Sequence, residues 1–254
     1  MAQPILDRER VIVLGGVIAL TALAWLDLWR STGGMGMDAI MPRSMPWDLA
    51  DLGAAALMWG IMMVAMMLPS VTPMLLLFSN VQRKRREQGE AATPISLFAA
   101  GYLLVWLTWS GLAAGLQWGL QGFFLLTPHL TTTTSALLGA AFLLLAGGYQ
   151  LTPWKDVCLV QCQSPFGFLM TRWREGASGA FRMGLEHGTY CLGCCWALMG
   201  LLFVGGVMNL LWVAALAGFI LLEKAVARGP WLSRLAGLAL IGWAVYLLQS
   251  GLTG

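Results

Sequence analysis

The chain has 254 residues, of which 58% are hydrophobic and 11% are charged. A water-soluble globular domain carries about a quarter charged residues, so this composition excludes an ordinary soluble protein. The net charge of +3 is small and gives no reason to expect a nucleic-acid partner. Long apolar runs separated by short polar segments instead predict an all-α fold, a polytopic transmembrane helical bundle in contact with the lipid bilayer.

Seven apolar segments are candidate spans of a single transmembrane domain that covers residues 1–254. A helix crosses the bilayer with about 20 mostly apolar residues, and each segment approaches or exceeds that length. The candidate spans are residues 11–29, 52–79, 96–120, 134–151, 183–204, 208–224 and 231–251. The turn at residues 205–209 leaves one alternative open, because the fifth and sixth spans would form a re-entrant pair if that turn were buried.

The positions of the lysine and arginine residues predict the orientation of the bundle. With a cytoplasmic N-terminus and alternating spans, all but two of the 15 basic residues fall on the cytoplasmic side. Among them are Lys155, in a cytoplasmic cysteine-containing loop at residues 152–182, and Lys224. Arg30 and Arg43 fall on the opposite side, which also receives the C-terminus. This positive-inside bias predicts a multi-pass protein of the bacterial inner membrane with a periplasmic C-terminus.

Methionine is concentrated in the first outer loop and in the second span. In the methionine-rich outer loop, residues 30–51, the thioethers of Met35 and Met37 are not needed for packing and suit the capture of Cu(I). Methionines at helical spacing in the second span are interpreted as a relay for such an ion, with adaptable core filling as the alternative. These relay candidates are Met58, Met62, Met63, Met66 and Met67. Pro69 and Pro73 follow them and are predicted to interrupt the helix.

Glycines at intervals of four residues predict close helix packing in two of the spans. Small residues at this spacing let the backbones of neighbouring helices approach each other in lipid. The repeat comprises Gly111, Gly115 and Gly119 in the third span and Gly184 and Gly188 in the fifth.

The fifth span contains an unusual concentration of metal-binding side chains in the segment GLEHGTYCLGCCWALMG, residues 184–200. On an α-helix, His187, Cys191 and Cys194 fall on one face, and Cys195 lies at its flank. Thiolates and imidazole are ligands that select Cu(I) or Zn(II) over hard cations. The spacing therefore predicts a site for a soft metal ion, although buried cysteines also pack as small hydrophobic residues.

A second cysteine pair lies upstream of this segment, with Cys158 and Cys162 four residues apart. This pair is able to complete the site from an adjacent segment. The six metal-ligand candidates are His187, Cys191, Cys194, Cys195, Cys158 and Cys162. Glu186 is an ionisable residue at membrane depth. It is interpreted either as an outer hydrogen-bond acceptor that supports the metal ligands or as an i,i+4 ion-pair partner of Arg182.

Several segments together resemble a known family. They are MWGIMMVAMMLPSVTP (58–73), KDVCLVQC (155–162), GTYCLGCCWALM (188–199), GGVMNLLW (205–212) and the Glu223-Lys224 pair. Over roughly residues 50 to 230, the chain resembles the bacterial predicted metal-binding integral membrane protein family, a copper-chaperone-like domain of unknown function. The resemblance implies a metal-binding membrane protein.

Three functions remain open from the sequence. The first is a membrane protein that binds Cu(I), with zinc as the second metal, for transport or for delivery to a copper-accepting protein or cuproenzyme. The second is a membrane thiol–disulfide oxidoreductase that uses the Cys191-x-x-Cys194 pair, although this pair maps to the reducing side of the membrane. The third is a structural or assembly subunit whose cysteines only pack. We assign no catalytic residue and no oligomeric state from the sequence.

Overall fold

The computed structural model describes residues 3–32, 48–123, 125, 126, 133, 135–226 and 231–253, with side chains between residues 10 and 250. The described residues form helices, and the extended structure among them is an isolated bridge between Leu126 and Thr133. The helices are α1 (Gln3–Thr32), α2 (Leu49–Glu87), α3 (Ile95–Gly122), α4 (Ala136–Gln150), α5 (Pro153–Gln163), α6 (Pro165–Arg172), α7 (Gly176–Gly200), α8 (Leu202–Gly205), α9 (Leu210–Ala225) and α10 (Trp231–Thr253). The predicted all-helical fold is confirmed.

Five helical segments of the described chain are long and apolar enough to cross a membrane. They are Arg10–Thr32, Leu49–Glu87, Ile95–Gly122, Gly176–Gly205 and Trp231–Ser250, which correspond to the first, second, third, fifth and seventh predicted spans. The fourth predicted span corresponds to α4, whose 15 residues reach the required length only together with α5, across a bend of 67°. The sixth corresponds to α9, which has 16 residues. The described residues therefore do not provide seven straight helices of full spanning length.

Side chains cap several helices at the positions where the sequence changes from loop to apolar helix. Asp48 accepts a hydrogen bond from the third residue of α2, and the side chain of that residue bonds back to the Asp48 N–H, which forms a capping box. The side chains of Ser135, Thr152 and Asn209 each accept one backbone N–H of the first turn and cap α4, α5 and α9, without the reciprocal bond. These caps satisfy backbone donors that the first helical turn leaves without a partner.

Helix α2 runs without interruption through Pro69 and Pro73, so the predicted break in this helix is wrong. Pro69 has no N–H to donate to the carbonyl of Ala65, one turn earlier. The indole N–H of Trp25 in α1 donates to that carbonyl instead, at 3.2 Å. A neighbouring helix therefore satisfies the backbone group that the proline leaves free, and α2 remains one element.

The core lies where α2, α3 and α7 meet, with α5 packed against α7. Helix α1 packs on α2 and α10 packs on α4 at the periphery, and both carry many exposed apolar side chains. The turn between α8 and α9 is buried, because Val207 and Met208 are only 2% and 6% exposed. This burial is the condition under which the sequence allows the fifth and sixth spans to form a re-entrant pair.

Helices α3 and α7 approach with their backbones in contact at two glycines. A Cβ atom on Gly184 would overlap the carbonyl oxygen of Phe98, and one on Gly101 would overlap that of Phe181. Gly188 lies in the same contact, so close packing at the predicted glycines of the fifth span is confirmed. The prediction for the third span is wrong for the described part of the chain, where a Cβ atom on Gly111, Gly115 or Gly119 would meet no other atom within 4 Å.

The substitution Gly184→Ala is expected to lower the free energy of unfolding by about 1–3 kcal/mol, because a methyl group must push the two helix backbones apart. The free energy is measured by titration with SDS in mixed detergent micelles. Gly115→Ala is the matched control, since its Cβ meets nothing within 4 Å and alanine is favoured over glycine in a helix. Equal effects of the two substitutions would contradict the packing described here.

Candidate functional site

The three cysteines of α7 meet a fourth cysteine from α5. Cys191, Cys194 and Cys195 are each no more than 2% exposed. Cys162 of α5 places its Sγ atom 4.0 Å from Sγ of Cys194. The structure therefore brings together cysteines from both predicted clusters, and all the cysteines are free thiols.

Gly193 allows α5 to lie close against α7. A Cβ atom at this position would come within 2.7 Å of the Cys158 Sγ atom. The carbonyl of Gly193 also accepts a hydrogen bond of 2.5 Å from the Tyr149 hydroxyl of α4. The glycine of the Cys-Leu-Gly-Cys motif is thus the contact point that positions the second cysteine pair, and Cys158 lies half-buried beside it.

The thiol of Cys191 has two polar partners that sequence analysis did not identify as part of the site. The Lys224 ammonium lies 2.9 Å from Cys191 Sγ, and the Tyr102 hydroxyl lies 3.1 Å from the same atom. Lys224 also donates to the Ser70 hydroxyl at 3.0 Å, and Tyr102 donates to the carbonyl of Met67 at 3.1 Å. Lys224 was expected to be a cytoplasmic surface charge, but it is only 8% exposed, so that interpretation is corrected.

His187 lies one helical turn before Cys191 and is 3% exposed. Its ring packs among three aromatic rings, with centroid distances of 6.0 Å to Phe98, 6.1 Å to Tyr102 and 5.1 Å to Phe168. Among the residues that the structure describes, the buried Nδ1 atom has no hydrogen-bond partner. The imidazole, one turn from Cys191, therefore has one nitrogen that no described protein group uses.

Glu186 points away from this group of residues. One of its carboxylate oxygens forms an ion pair of 2.8 Å with the guanidinium of Arg174, in the segment that precedes α7. The observed partner is therefore Arg174, and not Arg182 as the helical spacing suggested. The ion pair connects the loop after α6 to α7, which is a structural contact outside the thiol cluster.

The methionine relay candidates of α2 are all buried. Their exposed fractions are 7% for Met58, 1% for Met62, 1% for Met63, 2% for Met66 and 1% for Met67. The Sδ atom of Met67 lies 4.0 Å from the Lys224 ammonium, so the end of the methionine row adjoins the partners of Cys191. Met35 and Met37, with most of the outer loop, lie outside the described residues.

The thiols and the imidazole are close together but do not yet form a complete coordination sphere. Within the described ranges, no three histidine, cysteine, aspartate or glutamate side chains are arranged to hold one metal ion. Two sulfurs from different helices nevertheless lie 4.0 Å apart in a partly buried position. Such a pair supplies two soft ligands to one ion.

A second polar cluster, missed from the sequence, lies beside the thiols. The Lys155 ammonium contacts both carboxylate oxygens of Glu223 at 2.8 Å. The same carboxylate accepts from Ser233 at 2.8 Å and from Gln150 at 3.3 Å, and Lys155 also bonds to Gln150. Lys155 is 0% exposed, so its prediction as a cytoplasmic loop charge is corrected as well. This ion-pair cluster fixes α5 to α4, α9 and α10.

The sequence contains a weak signal for both lysines. Glu223 and Lys224 are adjacent at the end of an apolar helix, where residues on neighbouring positions point in different directions. One of them faces the thiols and the other faces Lys155. Two adjacent residues of opposite charge in an apolar segment indicate that each has its own buried partner. The sequence does not identify these partners.

These features define a class of protein: an all-helical chain with long apolar helices and a buried group of thiols, thioethers and an imidazole. The chain belongs to the PpoB2 copper chaperone family, whose model matches residues 56–247. That range contains the four helices that supply the thiol cluster and its polar partners. No curated protein and no solved structure was found to match the chain.

Proposed function

We propose that this protein is a multi-pass membrane protein that binds Cu(I) and transports it or delivers it to a copper-accepting protein or cuproenzyme. Membership of the copper chaperone family supports the choice of metal. The observation that carries the proposal is the separation of 4.0 Å between the sulfurs of Cys162 and Cys194. It brings soft ligands from two helices together in a partly buried position, and Zn(II) is the second metal that such ligands suit.

The distance between these sulfurs suits one metal ion held by both. With metal–sulfur bonds of about 2.3 Å, sulfurs 4.0 Å apart subtend an angle of about 120° at the ion. This angle leaves room in the same plane for a third ligand, and we propose Cys191, one turn before Cys194 on the same helix, as that ligand. Side-chain rotation is needed to bring the third thiol to the ion. His187, Cys195 and Cys158 are the remaining proposed ligands.

The methionines of α2 are the proposed route between the outer side and the thiols. From Met58 to Met67 the helix rises about 14 Å, and these buried thioethers follow it towards the end where Lys224 contacts Cys191. Thioethers bind Cu(I) weakly enough for an ion to exchange along a row. Met35 and Met37 are proposed to capture the ion before it enters this row.

The proposed orientation keeps the N-terminus in the cytoplasm of a bacterial cell and the protein in the inner membrane. Lys155 and Lys224 are buried and do not count as loop charges. Among the other basic residues, only Arg30 and Arg43 fall on the outer side under the seven-span arrangement. The bias therefore remains after the correction and supports the same orientation.

The double substitution Cys162→Ser/Cys194→Ser is expected to abolish binding of one Cu(I) per chain. The protein is purified in detergent under anaerobic reducing conditions, and bound copper is measured by elemental analysis and by competition with a Cu(I) chelator. X-ray absorption distinguishes sulfur from nitrogen ligands in the wild-type protein. The matched control is Met199→Leu, a volume-conserving change at a buried position of the same helix.

Unchanged copper stoichiometry in the double variant, together with normal binding in Met199→Leu, would overturn this proposal. The same samples test the other functions open from the sequence. A reversible disulfide between Cys191 and Cys194 that forms at the expense of a quinone or protein substrate would indicate a thiol–disulfide oxidoreductase. Normal folding without any copper binding in the wild type would indicate packing cysteines.

A further inference from the structure

We infer that α5, with its two cysteines, lies within the hydrocarbon region of the bilayer and presents one face to lipid acyl chains. The sequence places these residues in a cytoplasmic loop, in contact with water. The inference rests on the membrane location in the proposed function and extends it, because it assigns a lipid-facing surface to the element that carries two of the five cysteines.

On α5 the large apolar side chains are exposed and a charged side chain is buried, which is the reverse of the pattern on a helix at a protein–water boundary. Trp154, Val157 and Val160 are 75%, 60% and 55% exposed and follow one another at intervals of three residues along one face. Lys155 and Leu159, on the opposite face, are buried. In water the lysine would face outward and the large apolar side chains inward. Apolar surroundings on the outer side of α5 explain why its large apolar side chains are exposed and its lysine is buried.

The charge of Lys155 is neutralised by protein groups and not by solvent. Lysines near a membrane surface usually extend their ammonium groups towards water. Lys155 instead points into the protein, where the Glu223 carboxylate and the Gln150 side chain surround it. An ionisable residue at membrane depth requires such an internal partner. The ion-pair cluster is therefore the arrangement expected for a lysine that lies at membrane depth.

The exposed apolar face of α5 continues onto α4. Leu144, Leu145 and Leu151 of the preceding segment are 42%, 49% and 42% exposed. The two helices reach the hydropathy and length of a membrane span only when they are taken together. The same surroundings that cover α4 therefore cover α5 beyond the 67° bend.

The backbone at the bend is satisfied internally, as a location in lipid requires. Thr152 accepts from the Lys155 N–H at 3.4 Å, and its hydroxyl donates to the Tyr149 carbonyl at 2.8 Å. Pro153 occupies the first position of α5 and has no N–H to satisfy. The chain thus changes direction without leaving these polar groups exposed to an apolar solvent.

The lipid-facing location of α5 restricts the routes by which copper reaches the thiols. The outer side of Cys158 and Cys162 is closed by lipid and the inner side by α7, so water-soluble chelators do not reach these thiols across α5. An ion enters or leaves the thiol cluster along the protein interior, through groups such as the α2 methionines, or from the ends of the bundle.

The experiment places a spin label on the apolar face without using cysteine chemistry. The substitution Val157→p-acetylphenylalanine is coupled to an aminooxy nitroxide, and the full chain is reconstituted in phosphatidylcholine–phosphatidylglycerol vesicles. Power saturation measures collision with oxygen, which partitions into lipid, and with a water-soluble nickel complex. The same label at Leu112, 64% exposed on α3, is the lipid reference, and the label at Gln88, exposed after α2, is the water reference.

The expected result is an oxygen-to-nickel accessibility ratio at position 157 that matches position 112 and exceeds position 88. A label at Val160 repeats the measurement on the same face, so that one poorly folded variant does not decide the outcome. A ratio at both positions equal to that at Gln88, with Leu112 still in lipid, would overturn this inference and leave the membrane proposal intact. Nickel access at Leu112 as well would overturn both.

Discussion

Replacement of Lys155 by methionine is expected to reduce the free energy of unfolding by about 3–5 kcal/mol. The substitution leaves the Glu223 carboxylate, which is 3% exposed, without a cation. Ser233 and Gln150 still donate to it at 2.8 and 3.3 Å, but neutral donors do not compensate a buried negative charge. The loss is measured by SDS titration in mixed micelles, with tryptophan fluorescence as the signal.

The double substitution Lys155→Met/Glu223→Gln is expected to recover much of this loss, because it removes both charges and leaves no isolated ion. Glu175→Gln is the matched control. Its carboxylate pairs with Arg85 at 2.9 Å but is 73% exposed, so its removal is expected to cost at most about 1 kcal/mol. A loss in Lys155→Met no larger than in this control would show that the buried pair does not hold α5 in place.

The properties that sequence analysis predicted correctly depend on local periodicity. Composition and apolar runs were sufficient to predict the all-helical fold, because the length and hydrophobicity of a helix depend on consecutive residues. The placement of His187, Cys191 and Cys194 on one face of α7 follows from the helical repeat in the same way. Both inferences required no knowledge of which helices are neighbours.

The errors concern partners that lie far apart in the sequence. The carbonyl freed by Pro69 is satisfied by Trp25, which is 40 residues from that carbonyl in sequence. Lys155 is buried because Glu223, 68 residues later, reaches it. A lysine at the end of an apolar segment is usually a surface charge, and only the packed structure reveals the exceptions.

The glycine repeats illustrate the same limit. Gly184 and Gly115 belong to repeats of identical spacing, and both create a smooth helix face. Within the described ranges, a helix packs against the face with Gly184, and no atom approaches the face with Gly115. Spacing indicates that close approach is possible, whereas the approach itself depends on the path of the whole chain.

The substitution Cys191→Ala is expected to lower the free energy of unfolding by about 3 kcal/mol, because it deprives the Lys224 ammonium of its nearest partner. Lys224 lies 2.9 Å from the Cys191 sulfur, and its remaining contacts are the Ser70 hydroxyl and the Met67 thioether. Cys195→Ala is the matched control on the same helix. Its thiol bonds to a backbone carbonyl, and its loss is expected to cost about 1 kcal/mol, as for a small buried cavity.

The double variant Cys191→Ala/Lys224→Met separates a charge interaction from simple packing. If the ammonium and the sulfur stabilise each other, the double variant is expected to be more stable than the sum of the two single losses by about 1–3 kcal/mol. If Cys191 only fills space, its loss equals that of Cys195 and the two substitutions add. Additive losses would favour cysteines that merely pack, whereas coupling would show that the Cys191 sulfur and the Lys224 ammonium stabilise each other.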